Sequence, residues 1–327
     1  MVRKGFALSA TLLALAFAMA SGAAAQEVWV TNQGLNKVQV VAPERGKVIA
    51  EIPAGKKPHN IAFTPDGKFA YVANVGSNDV TVIETATRKV VATIPAGKKA
   101  HGVTFSPEGR FAYVANVGSN DVTVIETATR KVVATVPAGR KAALAAFTPD
   151  GRKAFVSNIE DGTVTVIDAV AHRALDTIRT GKGAMGIEVD AEGKRLYETE
   201  GNEDKISVIE VATHKVVTTF RFGHKDPHGL ALVPGTSLAL VTNRGSANVS
   251  VIDLDTNEEL ATIPTAGRPD IVAVSADGKR AYLTSRVGRS VQVIDIPARK
   301  VVATIPLGGD PHGVAVRPAA KRNPCGY

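Results

Sequence analysis

Apolar and polar positions alternate in short runs along this chain, and the runs recur every 42 or 43 residues. The segment from His59 shows the unit. His59–Phe63 (HNIAF) is a short apolar run, closed by Thr64-Pro65-Asp66-Gly67, where Pro presets a tight turn and Gly67 tolerates positive φ. Phe69–Ala73 follows as a second strand, then the turn Val75-Gly76-Ser77-Asn78. Val80, Val82 and Glu84 alternate with Thr81, Ile83 and Thr85 as a third strand, and Val90–Ile94 makes a fourth after a polar turn at Thr87-Arg88-Lys89. Helical periodicity is absent, and Pro or Gly punctuates the boundaries. Phe69–Thr93 and Phe111–Thr135 are identical at every position. A unit of this length cannot bury its apolar faces without neighbours.

Copies of the first strand begin at His59, His101, Ala143, Met185, His228, Asp270 and His312. The chain enters the pattern at Val28–Asn32, a second strand, and the missing first strand is His312–Val316 at the far end. The pattern predicts an all-β fold: a seven-bladed β-propeller with four antiparallel strands per blade, its C-terminal strand closing the N-terminal blade.

VWVTN (28–32), YVAN (71–74 and 113–116), FVSN (155–158) and LVTN (240–243) resemble the repeat of the YVTN-type β-propeller proteins. The resemblance covers nearly all of the chain beyond its first 25 residues. It implies the propeller fold and leaves function open, because such propellers include surface-layer components, binding proteins and relatives of lactonases and haem-carrying enzymes. The marker Asn recurs at Asn32, Asn74, Asn116, Asn158 and Asn243, with Glu200 and Ser285 in its place elsewhere. An Asn ending a strand before a Gly-containing turn is expected to bond its own backbone.

Residues 1–25 read as a cleavable leader: Arg3 and Lys4, the apolar stretch Phe6–Ala20, then Ala23-Ala24-Ala25 before Gln26. The expected organisation is a 1–25 signal peptide, a 26–318 propeller and a flexible 319–327 tail, in a periplasmic or secreted protein with no membrane span after cleavage. Cys325 is the only cysteine, so neither a disulfide framework nor a Cys-x-x-Cys-His haem attachment exists. The formal charge is +8, and +6 without Arg3 and Lys4. That excess attracts anions, but the single tryptophan and the lack of interleaved aromatics argue against nucleic acid as a partner.

Chemistry is expected where the copies differ. The loops leading into the first strands carry Lys56, Lys57, Lys98, Lys99, Arg140, Lys141, Lys182, Lys225 and Arg268, against Asp226, Asp270 and Asp310. Arg244, Arg286 and Arg289 lie in turns on the same face. Two readings stand: a funnel for an anionic ligand or partner, with Lys57, Lys99, Arg244 and Arg286 as contacts, or a solvated basic fringe. His59, His101, His228 and His312 open four first strands, and His224 shares a loop with His228. They read as ligand-binding residues that could ligate a transition metal or haem iron, or as strand caps bonded to a neighbouring blade's backbone. The resemblance implies haem as one option, since the haem-carrying propeller of cytochrome-type nitrite reductases places its proximal His near a first-strand start. In blade five, Tyr197–Asp204 (YETEGNED) replaces YVANVGSND and reads as a solvated acidic loop, or as one whose acids meet basic side chains on the same face. No linear enzyme signature occurs. The expectation is a binding or scaffold protein whose basic, His-bearing channel mouth takes a small anionic or metal-containing ligand or an envelope protein partner. A metal- or haem-dependent enzyme, a lactonase-like hydrolase and a structural cell-surface module are the alternatives.

Overall fold

The computed structural model describes residues 26–318. The expected leader and the tail with Cys325 lie outside the described residues. Seven four-stranded antiparallel sheets make the expected seven-bladed propeller. Blade one has the order Pro311–Val316, Val28–Asn32, Lys37–Ala42, Lys47–Pro53, so the C-terminal strand is its inner strand. Val28, Trp29 and Val30 pair with Val316, Ala315 and Val314. Blades two to seven run in chain order from inner strands at Pro58, Ala100, Ala142, Ala184, Pro227 and Pro269. Each inner strand thus starts one residue earlier than the sequence pattern suggests. One short 3-10 turn, Pro43–Arg45, replaces the usual outer turn in blade one.

The core is a set of seven clusters, one at each junction between blades. Alternation within each strand sends one set of apolar side chains forward and the other back. Between blades one and two, Trp29, Val38, Val40 and Ile52 pack on Ile61 and Val72. Between two and three, Tyr71, Val82 and Ile94 meet Val103 and Val114. Each such side chain contributes about 1.5–3 kcal/mol by leaving water.

The marker Asn does not bond its own backbone, contrary to expectation. Asn74 Nδ2 donates to Asp79 Oδ1 at 2.7 Å and Thr81 Oγ1 at 2.9 Å, tying the second strand to the third. Asn32 Nδ2 reaches Gln39 Oε1 and the Gly308 carbonyl, both at 3.0 Å. The marker is a strut within the blade.

At the axis neighbouring inner strands nearly touch. A Cβ on Gly102 would stand 2.3 Å from the Ala143 carbonyl oxygen, and one on Gly313 2.5 Å from that of His59. Glycine takes this position in four blades, at Gly102, Gly186, Gly229 and Gly313, where a Cβ would meet the next inner strand, whereas blades two, four and seven carry Asn60, Leu144 and Ile271.

Candidate functional site

Inner strands seat their second residue on the axis, so position along the repeat, not along the chain, decides which residues meet. In ring order those residues are His312, His59, His101, Ala143, Met185, His228 and Asp270. The structure brings together the four expected histidines and adds Asp270, which completes an unbroken arc of five polar groups. His59 stacks on both neighbours, its ring centroid 3.7 Å from those of His101 and His312. Asp270 Oδ1 lies 3.3 Å from His228 Nε2, and Asp270 Oδ2 lies 3.1 Å from His312 Nε2 without hydrogen-bond alignment. His101 Nδ1 donates to the Ala143 carbonyl at 3.1 Å, the strand-capping arrangement weighed for all four.

The belt is closely packed. His101, His228, His312 and Asp270 are buried, and His59 is the most open of the five. Burial disfavours the charged imidazole, holding His101 down at about 4 and His228 at about 3. His59 and His312 are likewise pushed well below the usual value, by burial first, then for His59 by competition with the neighbouring imidazoles for a proton and for His312 by the Arg286 guanidinium. All four are neutral at neutral pH, so they add hydrogen-bonding capacity and no charge.

A metal does not fit this arrangement. Imidazole lone pairs lie in the ring plane, and stacked rings do not aim them at one centre. Among the described residues no group of three or more His, Cys, Asp or Glu side chains is placed to hold a metal ion. His224, expected as a further metal candidate beside His228, turns away from the axis. Its Nε2 lies 2.9 Å from Glu259 Oε1 in the outer strand of blade six.

The cations divide by side. Lys57 and Lys99 sit in left-handed backbone at φ 51° and 54°, held by bonds from their amides to Asn36 Oδ1 and Asn78 Oδ1. Their ammonium groups, and those of Lys56 and Lys98, form no ion pair among the described residues. Arg244 and Arg286 replace the Val75 of blade two in blades six and seven. Both are engaged: Arg244 Nε with Asp226 Oδ2 at 2.9 Å, and Arg286 Nη2 with Asp310 Oδ2 at 2.7 Å. Arg244 Nη1 also lies 3.4 Å from Asp270 Oδ1. Among the described residues Lys182 of blade five and Arg289 of blade seven are also unpaired, so blades two and three hold four of the six free cations named on this face.

Blade five corrects the solvated-loop expectation. Glu198 and Glu200 are fully buried. Glu200 accepts from Ser207 and pairs with Lys205 Nζ at 2.9 Å, and Lys205 also holds Glu203 at 2.9 Å. Both oxygens of Glu198 lack a hydrogen-bond partner, and burial raises its pKa well above the carboxylate range. Sequence reasoning missed Asp270 and Glu198 as site features. The signal was the repeat register, which puts Asp270 in line with the histidines and Glu198 in line with buried valines.

The sequence matches the family described as "Lactonase, 7-bladed beta-propeller" over residues 28–264, and the chain belongs to that family. Residues 233–322 also match the "YNCE-like beta-propeller" family. No protein of curated function matches the sequence. Among solved structures, Kuenenia stuttgartiensis hydrazine synthase is similar at 23% identity and TM-score 0.75, covering 82% of this chain and 91% of its own. A functionally unknown protein from Desulfotomaculum acetoxidans DSM 771 shares 16% identity at TM-score 0.79, with 89% and 98% covered. The dihydro-heme d1 dehydrogenase NirN in complex with DHE shares 19% identity at TM-score 0.67, with 86% of this chain and 64% of that one covered. At these identities the likeness is one of fold.

Proposed function

We propose that this member of the seven-bladed lactonase family is a ligand-binding propeller that holds a small organic anion at the basic mouth of its axial channel. The observation that carries the reading is the asymmetry of charge. Lys56, Lys57, Lys98 and Lys99 are unpaired in the loops that lead into the strands of His59, the most open imidazole, and His101, whereas the arginines across the mouth are tied to Asp226 and Asp310. An arriving carboxylate meets ammonium groups that need not break an existing pair, above imidazoles that supply neutral hydrogen-bonding nitrogens. The test is calorimetric titration with gluconate. Wild type binds, and the Lys57→Glu, Lys99→Glu double variant loses at least ten-fold in affinity; unchanged affinity in that variant contradicts the reading. Because the belt is buried, replacing its histidines by Ala would leave voids and confound such a test.

Family membership favours a second reading, hydrolysis of a lactone at the same mouth. His59, the most open imidazole, would accept the proton from water as a base weakened by its burial, and the lysines would stabilise the developing oxyanion and carboxylate. Acid release from glucono-δ-lactone above the uncatalysed rate, abolished in His59→Gln, supports this reading; no acceleration removes it and leaves anion binding standing. Export belongs to the same proposal, and an intact mass beginning at Gln26 in the exported protein checks it.

A further inference from the structure

The axial channel has two halves, and the His–Asp belt occupies only one. Beyond it, the inner strands line a cavity of about 440 Å³ that includes Ile61, Phe63, Leu230, Ile271 and Val272. Such a volume suits a small ligand. Asn60, Thr104 and Glu188 interrupt the apolar lining, and Glu188 is the one ionisable residue among those that line it. Glu188 stands where five other blades carry alanine, as at Ala62 and Ala231, and blade three carries Thr104. The Glu188 carboxylate has no hydrogen-bond or ion-pair partner among the described residues; burial is the sole influence on it and pushes its pKa up to about 7.

We propose that this far half of the channel is a second ligand site, taking an amine with an apolar body whose ammonium group pairs with Glu188. The walls reward burial of a hydrocarbon or aromatic body, at about 25 cal/mol per Å² of apolar surface removed from water. Glu188 is partly buried, so a ligand without a hydrogen-bond donor would leave its carboxylate unpaired against a largely apolar wall, and an anion would be repelled by it. An ammonium group satisfies this carboxylate most strongly, through a charge-assisted hydrogen bond. The site is independent of the mouth: it lies at the opposite ends of the same inner strands, at Phe63 where the mouth has His59.

The probe pair is dansylcadaverine, a fluorophore on a primary amine, and its N-acetylated form, which keeps the body and loses the cation. With the full protein, the amine should bind with enhanced fluorescence and at least ten-fold tighter than the acetylated form. In Glu188→Gln, which keeps the side-chain shape, the two should bind alike. Ala273→Leu, which narrows the channel, should weaken both. No fluorescence enhancement by the amine overturns the proposal, and so does an amine preference that survives Glu188→Gln. Neither result bears on gluconate binding at the mouth.

Discussion

Glu198 stands where Val72, Val114, Val156 and Val241 stand in other blades, and neither carboxyl oxygen finds a partner. Burial favours its protonated form, so the folded chain binds a proton that the unfolded chain releases above the ordinary value of 4.5. Its stability contribution is present below that value and lost as pH rises. Glu198→Val should therefore raise stability at pH 7 by about 1–3 kcal/mol, with a smaller gain at pH 4, measured by denaturant unfolding. A loss at pH 7 would contradict this account of the side chain. The histidines act in the other direction. Their folded values lie below the ordinary 6.5, so the unfolded chain takes up protons first as pH falls. Stability should drop from pH 6.5 down towards 4, by about 1.4 kcal/mol per pH unit for each imidazole still neutral. In His228→Gln the slope should be shallower, and an identical slope would contradict the assignment. The four histidines were legible because they recur at one repeat position. Asp270 shares that position, yet read as a loop acid because its chemistry differs from theirs. Burial of Glu198 was hidden for a similar reason: composition said solvent, and only register said core.

Within the blade, the Thr of the second strand has a definite task at the junction. Thr31 Oγ1 donates to the His59 carbonyl at 2.7 Å, Thr199 Oγ1 to that of His228 at 2.7 Å and Thr242 Oγ1 to that of Asp270 at 2.6 Å. Each hydroxyl thus ties a blade to the next blade's axial residue. Blades two and three carry Ala73 and Ala115 instead. In blade three, His101 Nδ1 takes over, bonding the Ala143 carbonyl that a Thr would have reached. Ala115→Thr, opposite Gly102, should add a second donor to that carbonyl once the Leu144 side chain shifts aside, and stabilise by about 1 kcal/mol. An unchanged or lower denaturation midpoint would argue that the hydroxyls are incidental. Strand identity was readable from alternation and turn residues, and boundaries differed by about one residue. The register shift between third and fourth strands, as at Val82/Ile83, was not readable, because the extra residue, Val91, is another valine in a valine-rich strand. Such bulges increase the twist of an outer strand that would otherwise present a flat edge.

At the scale of the whole ring, the termini are joined by more than one strand pair. Gln26 Nε2 donates to the Arg317 carbonyl at 2.8 Å, and Glu27 holds Arg88 at 2.7 Å and Arg317 at 3.0 Å. A permutant that links Pro318 to Gln26 and opens the loop at Gly139–Arg140 should fold with an unfolding midpoint close to that of the parent. Failure to fold would contradict a ring closed by these contacts. Seven sectors and their closure were visible in the repeat count and the mismatched chain ends. The far half of the channel was not, because Glu188 acquires meaning only once alanines from distant repeats surround one axis. The mouth carries the functional account, and a crystal soaked with gluconate tests it most directly. The account predicts carboxylate density above His59, within hydrogen-bonding reach of Lys57 or Lys99, with Arg244 and Arg286 still paired to Asp226 and Asp310. An empty mouth at saturating gluconate, or an anion bound only at the outer rim, would contradict it.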